Sequence, residues 1–395
     1  MKTKKIYHSH DYKKSWTTKI KEITPIGDRY KILLEETAFY PGGGGQPFDL
    51  GTINDIALVE VYEEGDRIFH IVGVKPNVQV NDEVTCYIDQ ERRLDLSQQH
   101  TGQHLLSAVF FHQINGQTSS FHLGVEYSTI DISKANISDK TIKDIEDLAN
   151  QYIYENLKIK HEQVSKKELK DLPLRKQPVV ENNIKLVEIE GLDYSPCGGT
   201  HLSTTGQLGI LKIIKTENYK GNTRVYFKCG NRALKDYQNI SIIISDLIAK
   251  LSAHQDEIVD RIDKELERNK DLSRELNIWK SKSAYWEAKD IISKNKEFIA
   301  DIFHDKTFEE IERISNEITR LGNYTILFAS IKDKKIILSH SGESKLHCGK
   351  VFKENLPSFN GKGGGSNIRA QAAFPTKEDL EKLYNYLKVG IGDKE

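Results

Sequence analysis

Long apolar runs are missing from this sequence, and so is an excess of charge of either sign. No window approaches the ~20 apolar residues that cross a bilayer. No apolar run follows the basic stretch from Met1 to Lys14 to form a signal-peptide core. The 57 lysines and arginines nearly balance the 58 aspartates and glutamates. We therefore expect a soluble, cytoplasmic protein with no membrane partner, in which any binding of nucleic acid rests on local patches.

Cysteine is also scarce. The four cysteines, Cys86, Cys197, Cys229 and Cys348, are far apart and follow no disulfide framework. This spacing disfavours disulfides, so a conspicuous cysteine is expected to be a metal ligand or a nucleophile.

A chain of 395 residues is long for one domain, and we expect roughly two to three. Short alternating runs at residues 30–34, 56–62 and 83–88 predict a small antiparallel barrel or sandwich. Charged helical periodicity over residues 234–288 predicts a coiled coil or helical hairpin, against the alternative of a helix pair packing on its own domain. The predicted fold is α+β and multidomain, with a β-barrel at residues 1–90, an α+β domain at 91–233, a helical linker at 234–290 and a C-terminal α/β domain at 291–395.

Two histidines, His100 and His104, stand four positions apart where a helical pattern begins. On a helix this spacing places both rings on one face, where they can hold one ion. Cys197 and His201 occur later in a loop with two glycines, and together the four residues complete a tetrahedral donor set. Cysteine with imidazole favours one Zn²⁺ over magnesium. The alternatives are a closed structural site, an open site that activates water, and Cys197 acting as a nucleophile.

Two glycine-rich stretches complete the set of motifs. In residues 37–47 (TAFYPGGGGQP), the absence of side chains lets a ligand approach the backbone, with Thr37 and Gln46 beside it to form hydrogen bonds. The alternative is a flexible turn. In residues 359–372, backbone amides of a glycine-rich turn flanked by Lys362 and Arg369 could receive phosphate oxygens.

The motifs at residues 37–47, 91–106 and 197–209 resemble, in order and separation, the editing domain of alanyl-tRNA synthetase. They resemble still more closely its free-standing relatives, the AlaX alanyl-tRNA editing proteins. The likeness covers roughly residues 20–232, and residues 361–373 more loosely resemble a DHH-associated C-terminal domain, although Lys362 interrupts the glycine run. We find nothing like an N-terminal class II aminoacylation core, which we take to favour a trans-acting editor over a full synthetase.

The resemblance implies a deacylase that removes serine or glycine wrongly attached to tRNA(Ala), with zinc held by His100, His104, Cys197 and His201. We expect Thr37 to contact the substrate hydroxyl and Gln46 the region of the ester, and we add Gln103 to this catalytic set. Further expected contacts with the tRNA or the substrate end are Gly43, Gly44, Gly45, Arg224, Lys362 and Arg369. The helical segment is expected either to form a homodimer or to act as a spacer.

Two other classes of function remain as alternatives. One is a non-catalytic RNA-binding protein with a structural zinc, which would not need the polar, glycine-rich loop at residues 37–47. The other is a hydrolase or phosphoesterase of small molecules. Such enzymes usually hold their metals with carboxylates, and no suitable cluster of Asp and Glu stands out in the sequence.

Overall fold

A computed structural model describes residues 2–8, 14–164, 174–175, 184–295 and 297–392. The chain divides into two compact units, Met1–Asp246 and Leu247–Glu395. Both units combine helices with β-sheet, so the predicted α+β class is confirmed. The finer division into four domains stays a prediction.

The first unit begins with a closed barrel, as the alternating runs predicted. The strands of this region are β1 (Lys4–Lys5), β2 (Ser15–Ile26), β3 (Arg29–Leu34), β4 (Glu36–Thr37), β5 (Gly51–Ile53), β6 (Ile56–Glu64), β7 (Arg67–Val72) and β8 (Glu83–Ile88), six of which form the barrel. The barrel order is β2-β3-β7-β6-β5-β8, and β1 pairs in parallel with β4. Alternate residues of β2 and β8 point into an apolar core that includes Trp16, Ile20 and Val84.

The α+β part of this unit follows the barrel directly. Its elements are α1 (Gln90–Ile114), β9 (Thr118–Leu123), β10 (Ser128–Ile132), α2 (Asp139–Glu155), β11 (Ile159–Val164), β12 (Ile184–Ile189), β13 (Asp193–Pro196), β14 (Leu211–Tyr219) and β15 (Asn222–Cys229). They form a sheet of order β14-β15-β10-β9 and a second sheet of order β11-β12-β13. The sequence patterns missed β9 and β11, whose outward residues are mostly polar.

Helix α1 is buried from Leu96 to Phe110 on nearly every side. It begins at Asp89, whose side chain accepts the N–H of Arg92 at 3.0 Å, and ends at Asn115 in the left-handed conformation. Leu105, Leu106, Val109 and Phe110 pack in one core with residues of β10 and β15. A helix enclosed in this way carries its polar side chains into the interior, where each needs a partner.

A buried ion pair fastens the start of α1 to the barrel. The guanidinium of Arg93 binds the carboxylate of Asp49, and the two side chains are 5% and 1% exposed. Arg93 also donates to the carbonyl of Ala38 at 2.6 Å, and Asp49 accepts the N–H of Tyr40 at 2.7 Å. The ion pair therefore fixes both flanks of the glycine-rich loop against the helix that carries the two histidines.

The helical segment and the second unit contain the remaining elements. These are α3 (Gly230–Leu251), α4 (Ile258–Lys294), β16 (Phe298–Phe303), α5 (Phe308–Leu321), β17 (Thr325–Ser330), β18 (Lys335–His340), α6 (Cys348–Asn355), β19 (Lys362–Gly365), β20 (Arg369–Ala373) and α7 (Lys377–Gly392). The five strands of the second unit form one sheet of order β16-β17-β18-β20-β19. Two long helices do occupy the predicted helical segment, but a coiled coil is not established. Among the described residues, no helix is long and apolar enough to cross a membrane.

The second glycine-rich stretch is not the turn that we expected. Residues 362–365 form the edge strand β19, paired antiparallel with β20. A Cβ on Gly363 would lie 2.1 Å from the carbonyl oxygen of Gln371, and one on Gly365 would lie 2.1 Å from that of Arg369. Close approach of two strands therefore explains these glycines without a ligand.

Gly102 allows α1 to lie directly against β15. A Cβ added at Gly102 would lie 2.1 Å from the sulfur of Cys229. We expect Gly102→Ala to lower the free energy of unfolding by about 1–3 kcal/mol because of overpacking, measured by urea denaturation. Gly73→Ala is the control, since its nearest neighbour would be 3.8 Å away. Cys229→Ala should offset part of the loss in the double variant, and strictly additive effects would contradict the contact.

Candidate metal centre and adjoining cavity

His100 and His104 face the same side of α1, one turn apart. Their ring centroids are 5.2 Å apart, and the residues are 1% and 5% exposed. Cys197 and His201 lie in the loop that follows β13. The sulfur of Cys197 is 3.5 Å from Nε2 of His100 and 3.3 Å from Nε2 of His201. The ligand atoms of all four residues lie within 4.8 Å of one another, so the predicted convergence is confirmed.

Each of the three imidazoles presents its Nδ1 nitrogen to a different partner. Nδ1 of His100 donates to Oε1 of Gln46 at 2.8 Å. Nδ1 of His201 lies 3.4 Å from the hydroxyl of Thr101. Nδ1 of His104 lies 3.7 Å from Oδ2 of Asp193, beyond hydrogen-bond distance. In a metal site, outer partners at Nδ1 fix the ring and leave Nε2 for the ion, so these residues fit a zinc site.

The charges in the cluster also suit a cation. Burial by itself raises the pKa of the Cys197 thiol, but the positive charge that His100 and His201 can carry holds it well below its usual value. The pKa of His201 is lowered by burial first and then by His100. Burial alone would lower the pKa of His104, yet Asp193 and Cys197 raise it. Zinc binds a thiolate and neutral imidazoles, so His104 would have to release its proton when the ion binds.

Asp193 is itself held in place by two neighbours. Nε of Arg175 donates to Oδ1 at 2.9 Å, and the hydroxyl of Ser195 donates to Oδ2 at 2.8 Å. Burial would raise the pKa of this carboxyl, but His104 and Arg175 lower it to about 2. Asp193 is therefore an ionised outer partner for His104, which the sequence motifs did not single out.

Gly199 permits the closest approach in the centre. A Cβ at this position would lie 2.3 Å from Cε1 of His100 and 2.7 Å from Oε1 of Gln46. A Cβ on the neighbouring Gly198 would meet nothing within 4 Å. The close approach of the loop to His100 therefore requires glycine at position 199 but not at position 198.

A cavity of about 450 Å³ opens beside the cluster. His100, His104 and Cys197 line one part of it, and Gly43 and Gly44 of the glycine-rich loop line another. The four glycines from Gly42 to Gly45 all have positive φ, between 56° and 122°. Other residues rarely adopt such angles, so this backbone wall depends on glycine. The structure therefore brings the predicted loop and the predicted metal ligands to one cavity.

Gln103 lines the same cavity, and its position differs from that of the other catalytic candidates. Its Nε2 donates to the hydroxyl of Ser107 at 2.9 Å, while its buried Oε1 has no partner among the described residues. Gln46, by contrast, is fully engaged. Besides His100, its Oε1 accepts the N–H of Thr200 at 2.9 Å, and its Nε2 donates to the hydroxyl of Thr200 at 2.8 Å.

Thr37 is fully buried at the end of β4 and is not among the described residues that line the cavity. Nδ1 of His70 faces the carbonyl of Ile32 at 3.2 Å and so carries the hydrogen. The Thr37 hydroxyl therefore donates to Nε2 of His70 at 2.9 Å, and it accepts the N–H of Phe39 at 3.1 Å. One lone pair of the hydroxyl oxygen is left over.

The remaining predicted contacts lie elsewhere. Gly45 packs on the ring of Phe121, where a Cβ would approach to 2.6 Å. Arg224 binds Asp131 through Nε at 2.7 Å and stacks 3.6 Å from the ring centroid of Tyr219. In the second unit, Lys362 is exposed and Arg369 is paired with Glu312. None of these four is among the described residues that line the cavity.

Two sequence families match parts of the chain. The family described as the threonyl and alanyl tRNA synthetase second additional domain matches residues 184–226, which include Cys197 and His201. The family described as class II (A) tRNA synthetases matches residues 3–92, which the structure shows to be the barrel region. Assignment of the C-terminal region to a DHH-associated domain stays a prediction.

Individual relatives extend these matches. The alanyl-tRNA editing protein AlaX-L of Pyrococcus horikoshii is 28% identical over 98% of this chain and 99% of its own length. The alanine–tRNA ligase of Pyrococcus abyssi is 28% identical over 98% of this chain but only 44% of its own length. The alanyl-tRNA editing protein Aarsd1 of Bos taurus is 32% identical over 63% of this chain and 56% of its own length. The resemblance predicted from the motifs is therefore confirmed: along nearly its full length, this chain is similar to an AlaX-type alanyl-tRNA editing protein.

Proposed function

We propose that this protein is a trans-acting deacylase, which hydrolyses the ester between tRNA(Ala) and a wrongly attached serine or glycine. The observation that carries the proposal is the cavity where the glycine-rich loop and the His-Cys cluster meet. A relative that matches 98% of the chain, and therefore both regions, is named an alanyl-tRNA editing protein. A cavity of about 450 Å³ is in the size range of small-molecule sites.

The chemistry needs little more than positioning. An aminoacyl ester is already activated, so the site must hold the carbonyl, stabilise the oxyanion and present a water molecule. A zinc ion held by His100, His104, Cys197 and His201 would supply a positive charge that orients the substrate end. Because four protein ligands fill a tetrahedral shell, we favour this role over the generation of hydroxide.

Within this scheme, Gln46 keeps His100 in the tautomer that points Nε2 at the cluster. Gln103 offers an unpartnered carbonyl oxygen inside the cavity, which could accept a hydrogen bond from the substrate ammonium or from water. Thr37 would use its remaining lone pair to accept the hydroxyl proton of serine. Since Thr37 is buried, this contact requires a local shift around Thr37 when substrate binds, with Gln46 kept in place.

The tRNA body needs contacts beyond the cavity. Among the predicted ones, exposed Lys362 is available to a phosphate, whereas Arg224 and Arg369 would have to exchange Asp131 and Glu312 for it. Association of two chains through the helical segment stays a prediction, which a light-scattering mass equal to one chain would contradict.

A panel of substrates tests the function against its alternatives. We expect the protein to hydrolyse seryl- and glycyl-tRNA(Ala), to spare alanyl-tRNA(Ala), and to release no nitrophenol from p-nitrophenyl phosphate. Binding of the tRNAs without hydrolysis would instead support a non-catalytic RNA-binding protein. Turnover of p-nitrophenyl phosphate would support a phosphoesterase.

Thr37→Val tests the specificity contact, because valine keeps the shape but cannot accept a hydrogen bond. We expect the ratio of seryl to alanyl hydrolysis to fall roughly tenfold, measured from kcat/KM on both tRNAs. Thr18→Val is the matched control, since Thr18 is also a buried barrel threonine, and its hydroxyl accepts the N–H of Glu36 at 3.2 Å. An unchanged ratio in the Thr37 variant would show that the assignment is wrong.

The two glycines of the Cys197 loop test the metal site. We expect the purified protein to hold about one zinc ion per chain. Gly199→Ala should weaken zinc binding by about 10- to 100-fold, as loss of an outer contact does, because the added methyl group displaces His100 and Gln46. Gly198→Ala should bind zinc like the parent protein. Competition with a chromophoric chelator measures both affinities, and equal values would contradict the geometry.

A further inference from the structure

Two lysines lie at the edge of the cavity, on the side of the N-terminal strand. Lys5 ends β1 and Lys185 belongs to β12, and both side chains line the cavity. The carbonyl of Lys185 accepts the N–H of Cys197 at 3.0 Å, which places this lysine beside the metal centre. The same two lysines also line a neighbouring groove with Lys2 and Lys4, together with the carboxylates Asp66 and Glu162. They therefore occupy a position between the proposed ester site and a second groove that contains charges of both signs.

The positive charge of this pair is only partly compensated. Lys5 is paired with Glu63, the one carboxylate among the described residues that line the cavity. The ammonium of Lys185 donates to Nε2 of His8, a neutral partner whose pKa is lowered to about 3 by burial and then by Lys185. Burial, followed by the charge of Lys5, lowers the pKa of Lys185 to about 8.

A third cation on the cavity wall does not change this balance. Arg175 is already bound to Asp193, and its side chain is 10% exposed. Lys5 and Lys185 thus share a single carboxylate in a half-buried place, where a second anion would be favoured by both charges. Phosphate is the anion that lysines bind most often in sites that accept nucleotides.

We propose that Lys5 and Lys185 form a subsite for the phosphate that precedes the terminal ribose of the aminoacylated nucleotide. This assignment rests on the proposed function, because it takes the ester-bearing end of a tRNA as the substrate. With the phosphate held by the lysines and the aminoacyl group beside the metal centre, the terminal ribose spans the cavity between them. The subsite positions the ester and recognises no base.

Two small substrates that differ only in the phosphate test the subsite. They are 3′-O-seryl-adenosine and its 5′-monophosphate. We expect the parent protein to hydrolyse the phosphorylated compound with a kcat/KM about 10- to 100-fold higher, as charge-assisted hydrogen bonds allow. Lys185→Met should remove most of this advantage and leave hydrolysis of the unphosphorylated compound nearly unchanged, and Lys185→Arg should retain part of it.

Lys160→Met is the matched control. Lys160 is an exposed lysine that is paired with Glu188 and is not among the described residues lining the cavity. Its replacement by methionine changes the net charge of the protein by the same amount as Lys185→Met does. The control should keep the full advantage of the phosphate. The assignment of the subsite would be wrong if the phosphate still raised kcat/KM in Lys185→Met, or if it did not raise kcat/KM in the parent protein.

A binding measurement separates failure of the subsite from failure of the proposed function. If the parent protein hydrolyses neither compound nor seryl-tRNA(Ala), the proposed function is wrong. The subsite is then judged by calorimetry with adenosine 5′-monophosphate, adenosine and inorganic phosphate. Tighter binding of the monophosphate than of adenosine in the parent protein and in Lys160→Met, but not in Lys185→Met, supports the nucleotide phosphate subsite. Equal binding of all three by every variant contradicts it.

Discussion

The site depends on one buried carboxamide. Gln46 ends the glycine-rich loop, and its oxygen accepts hydrogen bonds from His100 and from the backbone of Thr200. Its amide nitrogen donates to the hydroxyl of Thr200, which in turn lies 3.0 Å from the hydroxyl of Ser97. Barrel loop, helix α1 and the Cys197 loop meet at this single side chain. Because this side chain of the barrel loop bonds to both α1 and the Cys197 loop, none of the three segments can shift alone at Gln46 without leaving a buried polar group unpaired.

The outer contacts of the three imidazoles follow one rule. Each ring presents Nδ1 to its outer partner, although the partners are an amide, a hydroxyl and a carboxylate. The partners differ in strength, since the contact between His104 and Asp193 is the longest of the three. This gradation gives the three rings different freedom to adjust when an ion binds, with His100 the most firmly held.

The sequence was informative where chemistry and spacing are local. The i, i+4 spacing of His100 and His104 predicted that the two rings share one face, and the glycine run at Gly42 to Gly45 predicted a backbone open to a ligand. Alternation of apolar residues also predicted the barrel. It could not reveal Asp193 or His70 as partners, because a lone Asp or His has the same sequence signature whether it is buried or exposed.

At the C-terminal glycines, the sequence suggested a feature that the structure explains differently. A glycine-rich run suggests a ligand loop, but Gly363 and Gly365 are needed because two strands approach closely, and a sequence does not distinguish a neighbouring backbone from a phosphate. In the same way, the sequence suggested Arg369 as a phosphate contact but did not reveal that Glu312, a residue distant in the chain, is paired with it. Long-range pairing of this kind is set by tertiary packing, which single-sequence patterns do not contain.

The separation of the metal ligands along the chain bears on how the protein folds. Cys197 and His100 are 97 residues apart, so their contact closes a long loop that includes the whole of β9 to β13. The entropy of closing such a loop must be lost before the contact contributes any stabilisation, which places assembly of the centre late in folding. During synthesis, the two histidines of α1 therefore leave the ribosome well before the cysteine, and a metal ion captured early would be held by the histidine pair alone, with far lower affinity than the complete set.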